Sequence, residues 1–470
     1  MLQEIGFEPR RFQPYIKGMP AKSPAFIEPA FIEIVYAQPF AMALRLKGLR
    51  ALTLLESAQR HEHLGRYSFL AVNPRHTLVV RGGVAFLDGV QREEKPFALL
   101  QNLLAKRPRK MLPGLPPFQG GWAGYISYDY ARHLEPKARI AAFAPICPDM
   151  VFHLFETVIA IDHLQERAWI VGEDKSEIAE LETLLTRKRH PVGAAVRVEF
   201  VPVVARDMHV KNVEATVEYI LAGDIFQANI TQVFEAKAPQ QFDAFALYGQ
   251  LREKNPAPFA VLMDYDEVKI VSSSPERLIR HNGTVAEARP IKGTVRRDAD
   301  PVVDAQLGAG LTASAKDRAE NVMIVDLLRN DLSIVSKPGT VKVPVLCGLE
   351  SYANVHHLVS VVQGELRDGV SVVDLLRAVF PGGSITGAPK LRAMEIIAEL
   401  EAAPRGAYCG AMGYFSFNGT CDFNIGIRTV QVSNGVMRVQ GGGGITARSD
   451  AAAEYEESVL KVARIREAVA

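Results

Sequence analysis

Through the first half of the chain, apolar and polar positions alternate in short runs bounded by Gly, Asp and Pro, the period of strands with one buried face. GRYSFLAVNP (65–74) and TLVVRGGVAFLDG (77–89) have this form, and VFHLFETVIAIDH (151–163) with RAWIVG (167–172) predicts a hairpin. Helical periods return singly: PFALLQNLLAKR, opened by Pro96 where the missing N–H costs nothing, and the amphipathic SEIAELETLLTRKR (176–189). Residues 1–45 are proline-rich and predict one strand and irregular coil. A seam falls over about 190–206, which contains Pro191 and Pro202 and precedes a new helix that ends near Gly223. It is either a domain boundary or a crossover inside one composite fold.

Beyond the seam, IFQANITQVFEAK (225–237) reads as a strand and FAVLMDYDEVKIVSS (259–273) as two strands around Asp266-Glu267. IRHNGTVAEA (279–288) predicts a hairpin turning at Asn282-Gly283. SAKDRAENVMIVDLLRNDLS (314–333) has a helical period, VHHLVSVVQGEL (355–366) a strand period, and FPGGSITGAPKLRAMEIIAELEAA (380–403) turns helical with Pro389 near its first turn. Strands and tight turns fill the glycine-rich run up to GGGGI (441–445), and a helix closes the chain over AAAEYEESVLKVARIREAV (451–469).

With 470 residues, 48% hydrophobic and 23% charged, the composition is that of a soluble globular protein with room for a large core. A net charge of +1 without a basic, aromatic-laced run argues against nucleic acid or an anionic membrane as partner. No apolar run is long enough to cross a bilayer, and the first residues lack a signal-type core, so the cytoplasm is expected. Cys147, Cys347, Cys409 and Cys421 lack paired metal-ligand spacing and read as reduced thiols.

The chemistry centres on SPER (274–277) and RPIKGT (289–294). The hairpin between them can return Lys292 towards Glu276, so an amine nucleophile and a carboxylic acid face one cavity; the bland alternative is a solvated turn lysine. Two helices each offer an acid pair at one-turn spacing, Asp317/Glu320 and Glu454/Glu457. Gathered together, four carboxylates call for a cation, and oxygen-only ligation points to Mg2+; left apart, they are ordinary helix faces. SITGAPK and GGGGI are backbone-rich segments able to donate N–H groups to carboxylate oxygens, or plain turns. Arg428 sits in a strand-like run where it needs an acidic partner or ligand, and Lys461 lies one turn beyond Glu457. In VHHLV, alternation lets one of His356 and His357 enter a site while the other packs. The remaining histidines, His61 and His63 among them, show no ligand spacing and read as surface or packed residues.

LLES (54–57), GRYSF, AGDIFQANITQ, NPAPF, SPER, RPIKGT, KDRAENVMIVDLLRNDL, HHLVS, FPGGSITGAPKLRAMEII, GYFSFNGTCDFNIGIRT and EYEES, in this order, closely resemble the chorismate-utilising enzymes over nearly the whole chain. Within that family they are most similar to the aminodeoxychorismate (para-aminobenzoate) synthase component I branch. Anthranilate synthase large subunits read PIAGT where this chain has RPIKGT. Water-adding relatives place a lysine base where Gln227 stands, and an amide cannot serve as that base.

The resemblance implies an α+β fold, a mixed α/β sandwich of large antiparallel sheets with helices packed outside, like anthranilate synthase component I. It implies a strand-rich region over 1–205 and a chorismate-binding catalytic region over 206–470, joined in one body. It implies a transferase that aminates chorismate at C4, for para-aminobenzoate and folate biosynthesis, with Lys292 as covalent nucleophile and Glu276 as general acid. Mg2+ would be held by Glu320 and Glu457, with Asp317 and Glu454 through water. Gln227, Thr386, Gly387, Tyr414, Arg428, Gly443 and Lys461 would bind substrate, with His357 beside the enolpyruvyl or ring region. Leu55, Glu56 and Ser57 would belong to a tryptophan pocket, and a separate glutaminase subunit would supply ammonia. After GGGGI the chain departs from the family pattern, reading TARSDAAAEYEES with Arg448 and no proline. The alternatives are an anthranilate synthase large subunit and a non-catalytic tryptophan-binding or partner subunit.

Overall fold

A computed structural model of the chain describes residues 26–60, 64–352 and 355–470. The coil expected over 1–25 and the places expected for His61 and His63 lie outside the described residues. Among those residues, two twelve-stranded antiparallel sheets stack face to face. Phe69, Ala160 and Trp169 from the first sheet interlock with Ala123, Phe155 and Tyr414 from the second, and Val261, Met263 and Ile270 meet Tyr125, Val151 and Met412. Helices cover both outer faces and bury the largest apolar clusters there. The fold is thus α+β, and central strands such as Gly121–Ile126 and Met150–Phe155 are buried at every position because one face meets the other sheet and the other meets helices.

Both sheets run through strands from either side of the 190–206 stretch. Leu52–Glu56 pairs with Phe259–Asp264 in the first sheet, and Gly121–Ile126 pairs with Ala411–Ser416 in the second. The stretch itself contributes only the short strand Val201–Pro202 before the helix Arg206–Leu221. No helix among the described residues is long and apolar enough to cross a membrane.

Several elements differ from the pattern. A helix, Pro39–Leu46, stands where coil was expected; eight residues opened by a proline carry too short a period to be read. The 151–172 hairpin is three strands: Met150–Phe155 lies in the second sheet, while Val158–Asp162 and Arg167–Gly172 pair in the first. The turn at Asn282-Gly283 is a four-residue loop, in which Asn282 Oδ1 accepts from the N–H groups of Thr284 (3.0 Å) and Val285 (2.9 Å), with Gly283 at φ +100°. GGGGI is not a loop but the end of the strand Val436–Ile445.

Candidate active site

Glu276 sits where the chain changes sheets: Lys269–Ser274 belongs to the first sheet and Arg277–His281 to the second. A second crossover runs beside it, from Cys421–Ile425 in the second sheet to Thr429–Ser433 in the first, and carries Arg428. The two corners are tied together: Ile425 N donates to Glu276 O (3.0 Å), Ser273 N to Arg428 O (3.0 Å), and Ser274 Oγ to Ile425 O (2.6 Å). Lys292 lies on the edge strand Ile291–Arg296, opposite Leu358, with a bulge at Gly293 (φ +74°). A Cβ at Gly293 would stand 3.0 Å from the Asp317 carboxyl carbon, so the bulge lets the helix Ala315–Ser333 come up against the lysine strand.

The structure therefore does bring Glu276 and Lys292 together. The Ile291 N–H beside the lysine reaches the Glu276 carboxyl, and the two side chains lie in each other's field. Burial pushes Glu276 up from the usual carboxylate range, opposed by the charges of Lys292 and Lys461 and by the Ser384 hydroxyl. Burial also pulls Lys292 down, opposed by Glu320 and Glu276 and assisted by Lys461. Its amine makes no hydrogen bond or ion pair among the described residues. Withdrawal from water thus disfavours the charged form of both groups, raising the acid and lowering the amine. Arg289, three residues before the lysine, is spent on an ion pair with Glu350; the cation that lowers the amine is Lys461.

The acid pairs approach from two helices. Asp317 accepts from the Ser314 hydroxyl (2.5 Å) at the start of Ala315–Ser333. Glu454 accepts from Ser449 Oγ (2.7 Å) in the first turn of Ala451–Val469, and Glu457 pairs with Lys461 Nζ (2.7 Å). Burial raises Glu454, and the like charge of Glu457 adds to that. For Glu457 the upward pull of burial is outweighed by Lys461, Lys316 and Lys292. Among the described residues no three His, Cys, Asp or Glu side chains form a ready cation cage. The donors fit a hard divalent cation by their chemistry: all are carboxylates, and of the four Glu457 is paired with a lysine, Lys461. They supply a partial shell of the kind a ligand's oxygens complete.

Each GGGGI glycine has a packing reason. A Cβ would fall 2.5 Å from Ser458 O at Gly441, 2.3 Å from Ile230 O at Gly442, 2.6 Å from Glu454 Oε2 at Gly443 and 2.6 Å from Gln227 Nε2 at Gly444. On one side the run pairs with Gln227–Lys237; on the other, Thr429–Ser433 accompanies the strand only to Val439. Gly387 is likewise required by pairing, since a Cβ would lie 2.0 Å from Gln227 O. Thr386 donates its hydroxyl to Gly382 O (2.8 Å), and Lys461 donates to Gly442 O (2.7 Å). Gln227 is fully buried, yet neither amide atom has a hydrogen-bond partner. His357 Nδ1 meets Thr294 Oγ1 (2.9 Å), and burial, with the Arg428 charge, pulls the imidazole down to about 4. His356 packs away, against Asp304 and Ser351. Arg428, at φ +49°, keeps an exposed side chain although the protein around it withdraws enough water to pull its guanidinium down, and it has no hydrogen-bond or ion-pair partner among the described residues.

Tyr414 is placed elsewhere. It stacks on Phe118 (4.5 Å) and lines a cavity of about 360 Å³ with Leu55, Ser57, Phe69 and Arg277, whose walls include neither Glu276 nor Lys292. Strand alternation sends Tyr414 into the space between the sheets, which a sequence motif does not show. Glu56 borders the same cavity but commits its carboxylate to Tyr248 (2.6 Å) and Arg252 (3.0 Å). Sequence reasoning missed Arg277, which enters this cavity while paired with Asp422 (2.8 Å), and Ser384 beside Glu276. Both sit inside motifs already noticed, SPER and SITGAPK.

Residues 51–467 match the family model for chorismate binding enzyme. The chain belongs to the chorismate binding enzyme family. This chorismate binding enzyme is 36% identical over 447 residues to aminodeoxychorismate synthase component 1 of Escherichia coli (strain K12), covering 93% of this chain and 98% of that one. It is 38% identical over 464 residues to anthranilate synthase component 1 of Pseudomonas aeruginosa, covering 92% and 93%. The crystal structure of anthranilate synthase component I from Streptococcus pneumoniae TIGR4 superposes with a TM-score of 0.77 at 30% identity, over 86% of this chain and 92% of that chain. It is a chorismate-utilising enzyme of the aminodeoxychorismate and anthranilate synthase component I type. Overall identity does not separate the two.

Proposed function

We propose that the chain is the synthase component of aminodeoxychorismate synthase, converting chorismate and ammonia to 4-amino-4-deoxychorismate and water. The observation that supports this reading is the partnerless, burial-depressed amine of Lys292 beside the burial-raised carboxyl of Glu276. The amine attacks C2 of the ring, the double bonds shift, and the C4 hydroxyl leaves as water with the Glu276 proton. The new C2 ammonium returns its proton to Glu276. Ammonia then adds at C4, the double bonds shift back and the C2–N bond breaks; the proton shed at C4 returns through Glu276 to the lysine nitrogen. Two displacements retain configuration at C4, and the enolpyruvyl group stays on the product.

Arg428 and the free edge of Gly441–Gly444 receive substrate carboxylates, Gln227 offers its unpartnered amide, and His357 remains neutral beside the ring. Mg2+ held by Glu320 and Glu457, with Asp317 and Glu454 through water, would neutralise the ring carboxylate. The similarity to proteins named component 1 supports a second component, a glutaminase that supplies ammonia. The cavity of Leu55, Ser57 and Tyr414 is proposed to hold tryptophan.

Incubation with chorismate, ammonia and Mg2+, followed by mass spectrometry, tests the reading. 4-Amino-4-deoxychorismate is expected, and a lysine adduct should be lost in Lys292→Ala. Anthranilate formed without an added lyase would assign the chain to the other branch, and unchanged turnover in Lys292→Ala would reject the covalent route.

A further inference from the structure

Ser384 belongs to the short turn Gly383–Ile385 and has no part in the reaction as described so far. The turn is packed directly on the flanks of Glu276: a Cβ at Gly382 would lie 3.2 Å from Leu278 Cδ1 and 3.2 Å from Ile425 Cδ1. Ile425 is the residue whose N–H holds the Glu276 carbonyl. Thr386 pins the turn from behind, its hydroxyl donating to Gly382 O (2.8 Å) and its N–H to Gly383 O (3.3 Å). The backbone of Ser384 is therefore fixed. Its hydroxyl oxygen is buried, yet it makes no well-formed hydrogen bond in the resting fold. Native folds seldom leave a buried hydroxyl in that state, except where a functional group or ligand completes it. The carboxyl group it acts on is that of Glu276.

We propose that Ser384 is a positioning residue for the catalytic acid, its hydroxyl holding one Glu276 carboxyl oxygen so that the proton on the other is presented to the leaving hydroxyl. The inference rests on the reading of Glu276 as general acid. The terminal torsion of a glutamate side chain is broad and nearly two-fold. Without a fixed partner on one oxygen, the acidic proton points into the cavity only part of the time. The Ile291 N–H constrains the carboxyl from the side of the lysine strand. Ser384 constrains it from the opposite element, and two anchors from different elements define its plane. When the proton leaves, the same hydroxyl donates to the carboxylate, so the contact strengthens as charge develops. The serine gains and loses no proton in the cycle.

The test uses the full chain with chorismate, ammonia and Mg2+. Ser384→Ala should lower kcat about tenfold or more, with KM changed less than twofold, because the hydroxyl acts on the acid and not on substrate binding. Ser384→Thr, which keeps the hydroxyl, should recover most of the loss, whereas Ser384→Val, of the same shape, should not. An infrared measurement reads the contact itself. The C=O band of protonated Glu276, identified as the band lost in Glu276→Gln, should move to higher frequency in Ser384→Ala. An unmoved band, or Ser384→Val as active as Ser384→Thr, would overturn the proposal even if all variants fold. Full turnover in Glu276→Gln would instead reject the acid, and the infrared shift would still decide whether Ser384 holds it.

Discussion

Lys390 and Asp331 form a buried ion pair that anchors the active-site wall. Asp331 lies near the end of the helix whose first two turns carry Asp317 and Glu320, and Lys390 opens the helix that follows the Ser384 turn. Their charged atoms stand 2.5 Å apart with side chains only 7% and 4% exposed. At an effective dielectric constant of 20, that separation corresponds to a gross attraction of about 7 kcal/mol, much of it offset by removing both ions from water. The net value of such a pair is small, but losing one member strands the other. Asp331→Leu should therefore destabilise the fold by about 3–5 kcal/mol, because among the described residues the ammonium then keeps only the Val379 carbonyl at 3.4 Å. Replacing both charges, Asp331→Leu with Lys390→Met, should return stability to within about 1–2 kcal/mol of the parent. Trp122 and Trp169, both in the core, allow guanidinium unfolding to be followed by fluorescence. A shift below about 1 kcal/mol for Asp331→Leu, or a double variant no more stable than that single one, would refute the reasoning.

Two further outcomes follow from the site. Because burial raises Glu276 above its unfolded value of 4.5, the native state holds the extra proton between the two values. Stability should fall as pH rises through that window, and Glu276→Gln should flatten the slope of the unfolding midpoint; a slope unchanged in the variant would show that Glu276 is not the group responsible. Arg428→Ala should cost about ten- to hundredfold in kcat/KM for chorismate, the worth of one charge-assisted contact, with no change in the unfolding midpoint, since the side chain is exposed and partnerless. Unaltered kcat/KM would remove Arg428 from the substrate site.

Local pattern determined much of this protein. Alternation and glycine-bounded turns foretold most strands, and helical periods placed both acid pairs one turn apart on their own helices. The spacing of SPER and RPIKGT anticipated that Glu276 and Lys292 meet. Alternation also separated His357 from His356. These features are legible because each depends on neighbours within one or two turns of chain.

What only the tertiary structure decided depends on partners far away in sequence. Glu276 and Arg428 stand on two adjacent crossovers between the sheets, tied by hydrogen bonds between residues some 150 positions apart, and no local period marks a strand that changes sheets. Tyr414 falls in the other cavity because sheet order, not motif order, sets which wall its strand faces. The glycines of 441–444 read as N–H donors or plain turns, since composition shows the absence of side chains but not the Ser458 and Ile230 backbone oxygens that leave no room at 441 and 442, nor the Glu454 and Gln227 side chains packed against 443 and 444. The acid and the amine were visible in the sequence; the opposite shifts of their pKa values were not, because burial, which moves both, is a property of the packed sheets around them.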